Sequence, residues 1–198
     1  MSTIPLSTIK YLPLGEICEI YDGTHQTPTY TKSGIKFVSV ENIRNLYGTT
    51  KYISQKDFNK YKVKPQIDDV IMTRIGSVGE CAVIDKKEDL AFYVSLALLR
   101  PNKAVLDSRY LKHVIESSVG KKELNKKILF NAIPLKINKN DIGKLIIPLP
   151  PLKTQIYIAS VLDGFEKLIN NINTGLPAEI QSRKNQYEYY RNKLLTFA

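Results

Sequence analysis

Three prolines within four residues divide this chain. Ile146-Ile147-Pro148-Leu149-Pro150-Pro151-Leu152 is a stiff apolar run. It can continue neither a helix nor a central strand, so it fixes the exit from whatever precedes it. Lys153-Thr154-Gln155 follow, and a helical pattern then runs uninterrupted to Asn173. Before the junction the sequence is strand-rich, irregular and heavy in lysine. After it there is little but helix. The expected organisation is a globular domain over residues 1–152 carried on a helical arm over residues 153–198, with a break near 174–177.

With 198 residues, 43% of them apolar, the chain can hold one sizeable core plus an appendage. The net charge is +10 and unevenly spread: residues 1–152 hold 23 Lys and Arg against 15 Asp and Glu, residues 153–198 hold 6 against 4. That concentrates the positive field on the globular part, as a partner with a phosphate backbone requires. No apolar run is long enough to span a bilayer and the N-terminus has no signal-peptide core, so a cytoplasmic protein without a membrane partner is expected. Cys18 and Cys81 sit among apolar neighbours and read as small buried hydrophobes in a reducing compartment. With only His25 and His113 besides, no zinc spacing exists and no metal site is expected.

Residues 11–21 read as a short turn leading into a strand or helical turn. Asp-Gly and Thr-Pro make residues 22–28 a loop. Residues 35–40 alternate and are β-branched, the pattern of a strand. Residues 54–61 read as a short helix capped by Ser54. Residues 69–74 and 80–85 read as two strands joined through Gly76 and Gly79, and residues 93–100 as a third. Residues 108–118 are an amphipathic helix with Tyr110, Leu111, Val114 and Ile115 on one face, and residues 121–127 a basic helix. The resulting class is α+β: a twisted mixed or antiparallel sheet followed by a C-terminal helical arm.

Along the arm, Ile158, Leu162, Phe165, Ile169 and Ile172 alternate spacings of four and three, and Ile180, Tyr187 and Leu194 recur every seven. Such a stripe packs against another helix in coiled-coil fashion, which makes these eight residues the expected interface of a homodimer. Gly175 and Pro177 suit the end of one helix and the first turn of the next, leaving open whether the arm kinks or folds into a hairpin.

The globular part offers three stretches suited to nucleic acid. Thr24, His25, Thr27, Tyr30 and Lys32 lie in the polar segment 22–32, whose side chains can donate to phosphates or read base edges. Lys60, Lys62 and Lys64 form a second stretch, and Lys121, Lys122, Lys126 and Lys127 a third, both suited to phosphate positioning. Arg74 and Ser77, beside the glycine turn, can also approach DNA. No methyltransferase motif, P-loop or nucleophile elbow is present. Asp69 (or Asp68), Asp85 and Lys87 form a rival pattern, that of a Mg²⁺-dependent nuclease with paired carboxylates and a lysine near the attacking water. A basic RNA-binding adaptor that uses its arm to dimerise is a third reading.

Taken in order, several pieces resemble one family. They are Leu14-Gly15-Glu16-Ile17, Asp22-Gly23-Thr24-His25 with Thr27-Pro28, and the run from Asp68 through Val70-Ile71-Met72-Thr73-Arg74 to Gly79. Ile147-Pro148-Leu149-Pro150-Pro151-Leu152 follows, with Gln155, Ile158-Ala159 and Leu162-Asp163, and last the tail from Arg183 to Leu195. Each is weak alone, but together and over nearly the whole chain the sequence is similar to one half of a DNA specificity subunit of a type I restriction–modification system. Such subunits usually carry two target-recognition domains, each followed by a helical region, and the two helical regions pair as a spacer between two half-sites. The resemblance implies a non-catalytic protein that binds double-stranded DNA and docks DNA adenine methyltransferase subunits and restriction subunits. S-adenosylmethionine would be used by the methyltransferase partner, with no cofactor held by this chain. With one domain and one helical region, two copies about a two-fold axis would rebuild the usual form.

Overall fold

The computed structural model describes residues 9–171 and 177–196. The fold is mixed α+β, with ten strands, β1 to β10, and seven helices, α1 to α7, among the described residues. β1 (Lys10–Pro13) pairs antiparallel with β10 (Ile146–Leu149), and α1 (Leu14–Ile17) turns the chain into β2 (Cys18–Asp22). Pro148 lies opposite Tyr11 in this two-stranded ribbon, where one side of each strand needs no ladder partner.

The central sheet is antiparallel in the order β2, β9 (Leu96–Pro101), β6 (Val70–Thr73), β7 (Cys81–Val83). Both its faces are covered, which is why Val70-Ile71-Met72 and Leu96-Ala97-Leu98-Leu99 are continuous apolar runs and not alternating ones. Val70, Met72, Ala97 and Leu99 face one core. That core is completed by helices α3 (Ser108–Glu116), α4 (Ser118–Asn125), α6 (Leu152–Asn171) and α7 (Pro177–Leu195). Ile71, Leu96 and Leu98 face the other, where they meet Val38, Leu90 and Phe92 of a second sheet. That sheet runs β3 (Tyr30–Thr31), β5 (Tyr52–Ile53), β4 (Ile35–Val38), β8 (Leu90–Phe92), with β4 and β8 parallel. Behind it, Phe37, Ile53 and Ala91 pack on Phe58 of α2 (Gln55–Phe58). Ser54 caps α2, its hydroxyl accepting from Asp57 N at 3.0 Å. The seventh helix, α5 (Lys139–Ile142), precedes β10.

The strand expected over residues 93–100 starts later, as β9 at Leu96, and Tyr93-Val94-Ser95 are the bridge and turn between it and β8. β8 belongs to the second sheet and β9 to the first, and the chain changes sheets at Tyr93-Val94-Ser95, where Tyr93 N donates to Val38 O and Leu96 N to Tyr93 O, both at 2.9 Å. Leu90 to Leu99 is apolar almost throughout because both strands are buried, so hydropathy carried no trace of the turn between them.

The arm is a hairpin. Phe165 stacks on Tyr190 with ring centroids 5.6 Å apart, and Tyr187 on α7 donates its hydroxyl to Glu166 on α6 at 3.0 Å. The seam expected between two chains lies inside this one. Ile158, Leu162 and Tyr187 are buried in the first core with Tyr110, Leu111 and Val114, while Phe165, Ile169 and Leu194 pack against it half-buried. The physical reason is that α3 and α7 offer apolar faces within reach, and a four–three spacing fits a neighbouring helix of either chain. Ile172 lies outside the described residues, as does the side chain of Ile180.

Gln155 fastens the start of the arm. It is fully buried, yet its amide is satisfied: Nε2 donates to Val105 O and Pro150 O, both at 2.8 Å, and Oε1 accepts from Asp107 N at 3.0 Å. The proline run therefore ends in a helix whose first turn is tied back to the loop before α3.

Candidate nucleic-acid interface

The loop after β2 is held by its own backbone. Thr24 N donates to Phe92 O at 3.1 Å and Val94 N to Thr24 O at 2.9 Å, so Thr24 runs alongside Tyr93 where the chain changes sheets. This approach requires Gly23, because a Cβ there would stand 2.3 Å from Tyr93 O. Beyond it, Gln26 N donates to the Thr24 hydroxyl at 3.2 Å, a local turn that presents His25, Gln26 and Thr27 to solvent.

Arg74 clamps this loop from below. The sequence placed it at the DNA surface, but the structure buries it at 7% exposure. Its Nε donates to Val94 O at 2.9 Å and lies 3.2 Å from Asp22 Oδ1, and its Nη1 donates to Ile137 O at 3.2 Å. One guanidinium thus ties together the loop after β2, the sheet crossover and the segment after residue 136. A planar fork suits two carbonyl acceptors in different directions with a carboxylate beside it, which an ammonium does not.

The loop forms one wall of a cleft of about 560 Å³. Thr24, His25 and Thr27 line it together with Lys60, Tyr61, Lys62 and Lys139, and the three lysines outnumber Asp22 and Asp57. Burial pushes the Tyr61 phenol upward in pKa, opposed by its hydrogen bond with Thr24. Lys60 pairs with Asp57 at 2.7 Å but its side chain stays 67% exposed, so the ammonium remains open to a stronger anion. Two of the stretches singled out in the sequence, thirty-odd residues apart, therefore meet in one basic cleft.

Other candidates lie elsewhere. Tyr30 and Lys32 are exposed on β3 and the turn after it, Tyr30 packing edge-on against Phe37 at 5.7 Å. Lys64 lies over the Phe58 ring at 4.7 Å, and its carbonyl accepts from Arg100. Ser77 lines a separate cavity where Arg44, Lys112, Lys121 and Lys184 are balanced by Glu80, Glu116, Glu166 and Glu188, a mixed charge that does not suit a polyanion. Lys122 is exposed on α4, Lys126 pairs with Glu123, and Lys127 is half-buried. Lys139, which the sequence reading missed, stands three residues beyond the bridge between Ile75 and Lys136.

The nuclease pattern does not survive the geometry. Asp69 is buried with both carboxylate oxygens taken: Arg100 donates Nε to Oδ1 at 2.9 Å and Nη2 to Oδ2 at 2.7 Å, and Gln66 N adds a third bond at 2.8 Å. A bidentate guanidinium occupies the positions a metal ion would need. The His/Asp/Glu group found close together among the described residues is instead His113, Asp163 and Glu166. His113 Nε2 meets Asp163 Oδ1 at 2.7 Å, and Lys112 Nζ is 2.7 Å from both oxygens of Glu166, so an ammonium already supplies the cation. Burial acts to lower the Lys112 pKa, but Glu116 and Glu166 outweigh it and the net direction is upward, which keeps the cation charged. This network joins α3 to both helices of the arm.

Comparison with known proteins decides the family. The model of the type I restriction modification DNA specificity domain matches residues 7–182. The chain belongs to this family. A putative type I restriction enzyme specificity subunit from Haemophilus influenzae is 30% identical over 150 residues, 74% of this chain and 37% of that protein. The putative type I restriction enzyme MjaX specificity subunit of Methanocaldococcus jannaschii is 32% identical over 142 residues, 69% of this chain and 33% of that protein. A putative specificity subunit from Mycoplasma pneumoniae is 28% identical over 198 residues, 99% of this chain and 60% of that protein. The chain thus spans from a third to three fifths of the length of these relatives. The crystal structure of the HsdS subunit from Thermoanaerobacter tengcongensis shares the fold, with a TM-score of 0.65 at 22% identity over 98% of this chain and 46% of that one.

Proposed function

We propose that this chain reads one half of a split duplex DNA target and carries no catalysis of its own. It would act as the specificity component for adenine methyltransferase subunits, which use S-adenosylmethionine, with restriction subunits joining the larger complex. The observation that carries this reading is the convergence of Thr24, His25 and Thr27 with Lys60, Lys62 and Lys139 on one cleft. Short polar side chains on a fixed loop can address base edges, while lysines in the same cleft neutralise phosphates and set the register. Arg74 and Gly23 supply the rigidity that such reading requires.

A second reader would come from a second copy or from a longer form of the chain. Ile156, Tyr157, Leu168 and Tyr189 are exposed on the outer side of the hairpin and supply apolar surface for a helical neighbour. The arm would then be a spacer whose inner face belongs to its own domain.

The test is competition binding with and without the methyltransferase subunits. Replacing Thr24, His25 and Thr27 together with Ala should lower the ratio of specific to non-specific affinity. Replacing Lys60 and Lys62 with Ala should weaken binding to every duplex alike. Equal effects of both sets on that ratio would refute this division of labour.

A further inference from the structure

Residues 129–136 form a loop that is closed, tethered and apolar on the outside. Leu129 N donates to Lys136 O at 2.8 Å and Ala132 N to Leu129 O at 3.1 Å, which pairs the ends and turns the tip. The base is bound to the reading domain: Gly76 N donates to Leu135 O at 2.8 Å, Ile137 N to Arg74 O at 3.0 Å, and Arg74 Nη1 to Ile137 O. Gly76 can make its bond because it holds φ +85°, which a side chain would resist. A loop fastened in this way could have turned its apolar side chains inward. Instead Ile133 is fully exposed, Phe130 is 59% exposed, and Leu129 and Leu135 stand out beside them. Such a patch on a fixed support marks a surface that something covers.

The charge around it says what. No Asp or Glu occurs from residue 124 to residue 140, whereas Lys126, Lys127, Lys136 and Lys139 do. Lys139 already lines the cleft with Thr24 and Thr27, and Arg74 bonds to the segments carrying both the reading loop and this tip. The apolar tip is therefore tethered to the elements that build the cleft, and the occupant that suits exposed apolar side chains in a lysine-rich, carboxylate-free segment is duplex DNA. We infer that residues 129–136 are a wedge. Phe130 and Ile133 press against or between base pairs at one step of the target, while Lys136 and Lys139 hold the flanking phosphates. Apolar side chains used in this way unstack a step and bend the duplex. They make selectivity depend on how readily that step deforms, without a hydrogen bond to its bases.

The inference rests on the DNA-reading role proposed above, and the experiment separates the two. The full chain is used to enrich duplexes from a random-sequence pool, and 2-aminopurine is then placed singly along the enriched sequence. Wild type should raise the fluorescence at one step. The Phe130→Ser/Ile133→Ser variant should lose that rise and bind about tenfold or more weakly, the scale of one lost base–aromatic contact. A Lys136→Ala/Lys139→Ala variant should keep the rise at saturation and show a shallower salt dependence. Thermal melting should be unchanged, and if the double variant melts early, Ile133→Ser alone carries the same test because that side chain lies in solvent. Enrichment without a rise at any position overturns the wedge and leaves DNA reading standing, and a rise that persists in the serine variant also overturns it. No enrichment overturns both. A serine variant that binds DNA normally but no longer assembles with the methyltransferase subunit would make the tip a protein interface and end the inference.

Discussion

His113 Nε2 stands 2.7 Å from Asp163 Oδ1, and this contact joins the recognition domain to the helix that leaves it. The imidazole is fully buried on α3 and the carboxylate projects from α6. Arg109 Nη1 reaches the other Asp163 oxygen at 3.2 Å, and Tyr187 closes the group from α7, its hydroxyl 3.5 Å from His113 Nδ1. Three helices are thus registered by one polar cluster, and the direction in which the arm departs from the reader is set there.

That cluster gives the molecule an acid limb. Burial acts to raise the Asp163 pKa, but the hydrogen bond and charge of His113, with Arg109 and Lys112, outweigh it and hold the carboxyl below its usual value. A depressed folded-state pKa contributes stability that is present above the ordinary carboxylate range and lost as pH falls through the folded value. Asp163→Asn should therefore lower the melting temperature near neutrality and flatten its fall between pH ~6 and ~2. Glu116 works the other way, since burial raises its pKa, so the variant and not the wild-type curve alone isolates the effect. An unchanged acid limb in the variant would show that the contact contributes nothing to docking the arm.

The arm's inner face should behave as core. Leu162 is fully buried among residues of α3 and the central sheet, so Leu162→Ala should cost about 2–5 kcal/mol in urea unfolding. A loss of dimer with no loss of monomer stability would return Leu162 to an interface between chains.

Arg74 should matter through geometry and not charge. Arg74→Lys keeps the cation beside Asp22 but leaves at least one of Val94 O and Ile137 O without its donor. Stability should fall by roughly 1–3 kcal/mol, the scale of a buried polar group left unpaired. Selectivity among duplexes should fall more than affinity, because the reading loop and the segment after residue 136 lose a shared anchor. If Arg74→Lys instead weakened binding to all duplexes equally and left stability intact, the residue would be a phosphate contact after all.

Lys60 and Lys62 should carry salt dependence. Each phosphate contact removed should reduce the slope of log affinity against log salt by about 0.9. A double alanine variant with an unchanged slope would take these lysines out of the interface.

Much of this was legible in the sequence. α2 showed through its Ser54 cap, α3 through an amphipathic pattern, and the β6–β7 hairpin through its two glycines, because these signals are local. The basic cleft was half legible: its two walls were named, but only the fold brings Thr24 to Tyr61. What stayed hidden was non-local. His113 and Asp163 are fifty residues apart, and neither looks unusual where it stands. Arg74 in a Thr-Arg-Ile-Gly run reads as a surface cation until Asp22, Val94 and Ile137 are seen to converge on it. The stripe from Ile158 to Ile169 announced a helical partner and was assigned to a second chain, because spacing alone does not show that α3 and α7 of this chain cover it.

The central claim is that residues 24–27 choose the DNA this chain reads. The most direct measurement is methylation sequencing of DNA from cells that express the chain with its methyltransferase subunit. N6-methyladenine is expected at one interrupted motif, palindromic if two copies of the chain face each other across a dyad. Replacing Thr24, His25 and Thr27 should abolish or redirect it while the protein stays folded. Methylation that ignores the loop, or that needs no copy of the chain, would contradict the account.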